Sequence, residues 1–468
     1  QQHKPQHYQM KFERISLIAL FTCVAFSIQA QTGPEITSWL QNTSQTGTYY
    51  MSGNSTAISN GTLVNCQQVE YSNDFVYVTA TGVPAYPTGP FLDGNPSIAT
   101  NQSKILKMPR HPVENTGTAN STVGGDIGVF VNGVALFDYR DGTGWNSNTN
   151  ALCGGPGNPP CPGGMGASTS WNRDAVLAEM GGFDCSKAHP ANGNYHHHQN
   201  PSAFKLDLNV ISTICNLYDA DGLYAIDSTQ HSPLIGFAFD GFPIYGAYGF
   251  KNADGTGGIT RIKSGYQLRN ITTRTVWANG TDVPDGPAVS TTYPLGYFRE
   301  DYEFLTHPGE ADYLDVHNGR FCVTPEYPEG TYAYFATVKT NWNSAYPYVV
   351  GPTFYGTFAN RAVTSINEAT TVYDASTIIS ENDLNALRLS IFPNPATDFI
   401  AVQVGGLLKD DLLVQVYSAD GKLVDTSKMS KGSTIWHLDT QRMYGGTYFI
   451  HFSNGGNSIV KQVVLSRE

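Results

Sequence analysis

The sequence predicts a mainly β protein: a β-rich α+β central domain with one or two short helices, followed by a C-terminal immunoglobulin-like β sandwich. Three observations predict it. Charged residues make up only 14% of 468, while Gly (48), Tyr (27) and Phe (23) are abundant, the composition of a turn-rich strand protein rather than a helical one. Short apolar runs alternate with clusters of turn residues along most of the chain, and Asn-Gly or Asp-Gly pairs stand between such runs, the strongest short-range hairpin signal. The length suits two or three domains, each able to bury a core. A net charge of -12 and a pI near 5.4 leave no basic footprint and argue against a nucleic-acid partner.

In chain order, residues 1–30 read as an upstream extension and an export signal. Met10 is the natural start, Lys11 and Arg14 form a positive region, Ile15 to Ile28 an apolar core, and Ile28-Gln29-Ala30 a cleavage site before Gln31. The apolar run is too short for a membrane span, so no transmembrane segment is expected in the mature chain. Cleavage discards Cys23 and leaves Cys66, Cys153, Cys161, Cys185, Cys215 and Cys322. In an oxidising compartment this even set reads as disulfides with the pairing open, Cys153 and Cys161 being the simplest pair to join.

Residues 31–356 read as one β-rich domain. Phe75 to Ala80 has the strongest strand propensity, and Gly128 to Asp138 forms a hairpin around Asn132-Gly133. Trp171 to Met180 is helical in spacing and stopped by Gly181-Gly182, with a second helix near Leu206 to Leu217. Gly236 to Gly246 aligns on Gly128 to Asp138 without a gap, and Gly193-Asn-Tyr-His-His-His has a counterpart in Gly330-Thr-Tyr-Ala-Tyr-Phe. This pattern suggests an internal duplication around 128–198 and 236–335, with Ala333 and Phe335 where His196 and His198 would fall. Residues 357–386 read as a linker. Residues 387–468 read as a separate sandwich, with strands at Phe399 to Val404, Leu413 to Tyr417 and Tyr448 to Phe452.

Tyr195-His196-His197-His198 is the densest run of imidazoles in the chain. On a strand, side chains alternate, so His196 and His198 share one face while Tyr195 and His197 point to the other. Two imidazoles at i and i+2 converge as two ligands of one transition metal, copper or zinc being suited to such donors. His189, Asp240 and His317 are the candidates for the remaining ligands. Asp240 is equally explained as the turn residue that a type I′ hairpin selects. His231 and His307 lie near Pro-containing turns and read as surface residues.

Two other function classes are open. A secreted hydrolase has no G-x-S-x-G signature here, although Asp138, Asp141 and Glu179 supply carboxylates. A non-catalytic surface module would use Trp145, Trp171 and Trp342 to contact glycans or other polymers.

Two resemblances follow from longer motifs. Phe392 to Thr397 (FPNPAT), Val416 to Lys422 (VYSADGK), Leu438-Asp439, Gly446-Thr-Tyr448 and Lys461 resemble, in order, the type A C-terminal sorting domain of the type IX secretion system, a family largely of the Bacteroidetes. The resemblance implies delivery to the outside or the outer cell surface by way of the periplasm, handling by the type IX machinery, removal of the domain by a sortase-like peptidase, and release or attachment to surface lipopolysaccharide. The region from roughly Cys66 to Gly356 resembles the YHYH domain family. The carrying residues are Tyr195 to His198, whose third position is His in place of Tyr, Ser232 to Gly246, Asn318-Gly-Arg320 and Thr324 to Tyr332. That family has no established activity, so the resemblance implies a fold and no reaction.

Overall fold

The computed structural model describes residues 33–468 apart from 93–96, 156, 163–168, 203–213, 216–221, 359–360, 374–388, 405–407, 409, 432, 434, 455–457 and 468. The expected export signal, most of the expected second helix and the latter part of the expected linker lie outside the described residues.

An eight-stranded sheet organises the centre of the chain. Its strands are β1 (Asp126–Phe130), β2 (Ala135–Phe137), β3 (Ala188–Ala191), β4 (Asn194–His197), β5 (Leu234–Ala238), β6 (Pro243–Tyr245), β7 (Gly319–Cys322) and β8 (Thr331–Phe335), in the spatial order β3-β4-β2-β1-β5-β6-β8-β7. The sheet is built the same way on either side of the β1–β5 pairing. In each half a hairpin (β1–β2, β5–β6) is extended by a parallel strand (β4 on β2, β8 on β6), which carries an antiparallel edge strand. Between β1 and β5 the pairs are Gly128 with Ala238, Val129 with Phe237, and Phe130 with Gly236. The gapless alignment of the hairpins carries this register onto itself reversed, as a two-fold relation requires.

Both hairpins turn over three residues at equivalent positions, Val131 to Gly133 and Phe239 to Gly241. Gly133 N–H donates to Phe130 and Gly241 N–H to Ala238, and the strand pair resumes with Phe130 N–H to Val134 and Ala238 N–H to Phe242. Only the glycines, Gly133 and Gly241, have positive φ. The turn is therefore of the three-residue, glycine-bulge kind and not the two-residue type I′ turn that the Asp-Gly pair suggested.

A five-stranded antiparallel sheet packs on the first core. It consists of Cys66–Tyr71, Phe75–Ala80 and Lys104–Pro109, flanked by Ala362–Val363 and Thr371–Tyr373. Its Val76, Val78 and Leu106 share that core with Val129, Phe237 and Phe335, while a second core gathers Leu136, Ile244 and Tyr334 with Tyr346 and Val349. Residues 362–363 and 371–373, inside the stretch read as a linker, thus form edge strands, because a sheet edge offers unpaired backbone groups for them to satisfy.

The helix expected over Trp171 to Met180 is shorter. Trp171 is buried with Phe298 and Val283, Asn172–Asp174 is a strand against Arg140–Asn146, and only α1 (Ala175–Glu179) is α-helical before a 3-10 turn through Met180–Gly182. Asp174 is the reason. Its carboxylate accepts Leu177 N–H at 3.2 Å and so caps the helix where the strand ends. In the C-terminal region, three antiparallel strands (Ser390–Phe392, Phe399–Gln403, Ile435–Asp439) and four (Leu412–Ser418, Leu423–Met429, Gly446–Ser453, Ser458–Leu465) share one apolar core.

Disulfides join Cys153 to Cys161 and Cys185 to Cys215. Cys66 and Cys322, expected to be bridged as well, are buried thiols within the first core, where burial pushes the Cys66 thiol up and keeps it protonated. A thiol reagent should therefore find no reactive cysteine in the native mature protein and two after denaturation without reductant. A further bridge would leave none in either state.

Candidate metal centre

The site is assembled at one edge of the eight-stranded sheet. Asn192 and Gly193 both have positive φ, so Ala191 to Asn194 closes as a two-residue turn and fixes the register of β3 on β4. That register puts His189 directly opposite His196. Directly opposed residues share a face. His198, two residues on from His196, returns to the same face, and α1 supplies Glu179 from its last turn. The four side chains offer ligand atoms that all lie within 4.8 Å of one another.

Three of the separations come close to those of one coordination shell. His196 Nε2 and His198 Nε2 are 3.1 Å apart, and Glu179 Oε2 is 3.1 Å from both His198 Nε2 and His189 Nε2. A tetrahedral zinc with bonds of about 2.0–2.1 Å places its ligands about 3.3 Å from one another. His196 Nδ1 lies 2.9 Å from the Asn194 carbonyl and His198 Nδ1 2.6 Å from the Asp138 carbonyl. A carbonyl only accepts, so both Nδ1 atoms carry the proton, and in the neutral rings both Nε2 lone pairs face the centre. Two facing lone pairs at 3.1 Å repel unless a proton or a metal ion lies between them. Glu179 Oε2 is buried without hydrogen-bond geometry to any described residue, although it sits at ion-pair distance from two imidazoles, and His189 Nδ1 is likewise buried and unsatisfied.

Electrostatics separates the members. Burial and then the adjoining imidazoles of His198 and His189 hold His196 well below its ordinary pKa. Burial also works against a charged His198, but the Glu179 carboxylate beside it prevails and raises its pKa. Burial alone would raise Glu179, yet His198 and His189 hold it well below the usual carboxylate range. Phe137 stacks on His196 at 3.8 Å between centroids, and Phe183 packs edge-on to His189 at 5.2 Å, so these imidazoles are held on apolar supports.

The other candidate residues lie elsewhere. Tyr195 and His197 point to the opposite face, as strand alternation requires. Tyr195 OH donates to Asp184 Oδ2 at 2.8 Å, and His197 has Nδ1 against the Lys187 carbonyl and Nε2 against Tyr86 OH. With both nitrogens used and burial pushing its pKa down to about 3, His197 is a neutral core residue. Asp240 is fully buried at its hairpin and accepts from Tyr334 OH, Phe242 N–H and Gly356 N–H, which leaves it no role at the cluster. His317 lies in the second half, its N–H on Asp315 and its ring tied to Thr353. His231 is half-buried against Tyr245 and Phe250 rather than on the surface. Trp145 and Trp171 are buried in a local aromatic core, and of the carboxylates weighed for hydrolysis Asp138 is paired with Arg140 and Asp141 with Arg173.

Glu179, weighed in the sequence only as a carboxylate for hydrolysis, is the member of the cluster that sequence reasoning did not join to the histidines. No local signal links it to the histidines, because the contact depends on the α1 cap and on the path of the chain from β2 to β3. The Asn192-Gly193 turn, in contrast, was a readable sign that His189 faces His196.

The second half of the sheet repeats this framework without its imidazoles. Arg320 stands opposite Ala333 as His189 stands opposite His196, and the Arg320 guanidinium lies 5.5 Å from the centre of the Phe335 ring, at the place of His198. Asp315 accepts Tyr332 OH and the N–H groups of His317 and Gly319, as Asp184 accepts Tyr195 OH and those of Ser186 and Ala188. Residues 105–347, which include both halves, match the YHYH protein family. The chain belongs to the YHYH family. Its Tyr-His-x-His strand is β4 and the residue that follows it, so in this YHYH protein the naming motif supplies two of the four converging side chains. Residues 390–466 match the secretion system C-terminal sorting domain, which marks the chain for the type IX system and for secretion to the cell surface or beyond. No curated protein matches the chain. Among the described residues no helix is long and apolar enough to cross a membrane.

Proposed function

We propose that this secreted YHYH protein binds a divalent transition metal, zinc or copper, through His189, His196, His198 and Glu179. The observation that carries the reading is the convergence of bare Nε2 lone pairs and an unsatisfied carboxylate oxygen on one point. Three imidazoles and a carboxylate suit either ion. With all four engaged, a tetrahedral ion has no vacant position. Glu179, its side chain 25% exposed against 3% for His198, is the ligand whose departure would open one. The same reading takes residues 31–356 as the metal-binding domain, formed by duplication with the site kept in one half. It places an export signal in residues 1–30, and removal of the tail by a sortase-like peptidase, with attachment to lipopolysaccharide, after passage through the periplasm.

Elemental analysis of protein purified without a His-tag tests it. About one zinc or copper per chain is expected, and no metal, with no uptake on adding either ion, would end the proposal.

Protonation should compete with the metal in a defined direction. The Glu179 carboxylate raises the His198 pKa and so favours a proton on His198 Nε2 that competes with the metal. Affinity is therefore expected to fall with decreasing pH, by up to about tenfold per unit below the His198 pKa. Glu179→Gln should weaken binding at neutral pH by at least about tenfold, since an anionic ligand is lost. It should also move the pH midpoint lower, because Glu179 is what raises His198. Competition titrations with a chromogenic chelator at several pH values read both effects. An unchanged midpoint in the variant would separate Glu179 from the site.

A further inference from the structure

A cavity of about 600 Å³ lies beside the histidine cluster, walled on one side by Val176, Leu177 and Met180 of α1 and its continuation and by Gln199, the residue after His198. Its volume is within the usual range for small-ligand sites. Three features specify its occupant. The first is charge: Arg261 and Lys339, with Lys263 paired to Asp312 behind it, line it and no carboxylate does, in a chain with 39 acidic residues against 27 basic ones. A cationic concavity on an acidic protein focuses attraction for anions at that place.

The second is an aromatic wall. Tyr302 stacks on Tyr346 at 4.0 Å between centroids, and Tyr266 meets Tyr346 edge-on at 5.4 Å, so the rings are fixed before any ligand arrives. Rigid tyrosines give contact area to a flat, partly apolar ring at little entropic cost. The third is a set of neutral polar groups, Gln199, Ser264, Gln267 and Thr340, which can donate to and accept from hydroxyls.

We propose that this cleft binds an acidic sugar, with a pyranose ring against the tyrosines, its hydroxyls on the neutral polar groups and its carboxylate or sulfate on Arg261, Lys263 and Lys339. Arg261 is held by its hydrogen bond to the Val338 carbonyl, and Lys263 by Asp312 and the Tyr313 ring 4.7 Å away, whereas Lys339 is exposed at the rim. The first two are therefore preorganised and the third closes on the ligand. This site does not depend on the metal reading, although α1 serves both places.

The test is calorimetric titration of the full chain with trigalacturonate, a sulfated galactose oligosaccharide and neutral galactotriose. At least one acidic probe is expected to bind, with the neutral one at least about tenfold weaker and with affinity falling as NaCl rises. Preference between the two acidic probes identifies the anionic group. Lys339→Glu should weaken the acidic probe by about tenfold or more. Thr340→Trp, which narrows the cleft from an exposed position without changing charge, should weaken it too and keeps the test valid if the first variant folds poorly. The same titration on chelator-treated protein should give the same affinity, so a failed metal site would leave this result standing. Absence of binding by both acidic probes, equal binding of the neutral one, or wild-type affinity in the folded variants would overturn the proposal.

Discussion

The variant His196→Ala/His198→Phe is expected to fold and to bind no metal, dropping from about one ion per chain to less than about a tenth under stoichiometric loading. The substitutions copy Ala333 and Phe335, which occupy the same places in the other half of the eight-stranded sheet and are fully buried there. The protein itself thus carries a version of this strand that packs without imidazoles. Losing the hydrogen bonds to the Asn194 and Asp138 carbonyls should cost about 1 kcal/mol each, a small part of the stability of a domain this size. Thermal unfolding of chelator-treated wild type and variant should accordingly differ by only a few degrees. Metal retained at wild-type level would mean that the ion, if present, sits elsewhere. An unfolded variant would mean that the imidazoles are core residues.

The second large effect concerns Asp184, which never touches the proposed ion. Its buried carboxylate accepts Gly89 N–H at 2.9 Å, Ser186 N–H at 2.9 Å, Ala188 N–H at 3.3 Å and Tyr195 OH at 2.8 Å. It thereby fixes the loop that carries Cys185 and leads into β3, and with it the position of His189. Asp184→Ala strands these donors in a fully buried site. Each costs about 1–3 kcal/mol, so a loss of at least about 4 kcal/mol is expected in denaturant unfolding. Asp184→Asn should cost less. Burial already raises the Asp184 carboxyl to about 6, and the amide oxygen of asparagine keeps an acceptor for two of the four donors, either Ser186 and Ala188 or Gly89 and Tyr195. If the alanine and asparagine variants were equally stable, the carboxylate would not be holding the loop.

How far these features could be read in advance follows from how local they are. Strand alternation alone divided His196 and His198 from Tyr195 and His197, because a side-chain period of two needs no knowledge of the rest of the fold. The hairpins were readable from Asn132-Gly133 and Asp240-Gly241, though not their three-residue form, since whether the residue before glycine also takes positive φ depends on how the strands twist beyond it. Whether Asp240 and His317 join the histidines could not be read from the sequence, for a common reason. A polar residue at a turn gives the same sequence signal whether it caps buried backbone, as Asp240 does for Phe242 and Gly356, or binds a ligand. Glu179 was out of reach because it meets the histidines only after α1 has been capped by Asp174 and laid over the sheet edge. The cleft is less local still, gathering Val176, Arg261, Tyr302 and Lys339 from separate parts of the chain.

X-ray absorption at the zinc or copper edge of the loaded full-length protein tests the central claim most directly, since it counts and identifies the ligands in place. The account predicts three imidazole nitrogens and one carboxylate oxygen at about 2.0–2.1 Å, with the oxygen lost or replaced by water in Glu179→Gln. Sulfur in the first shell, fewer than three imidazoles, or a spectrum unchanged by His196→Ala/His198→Phe would contradict it.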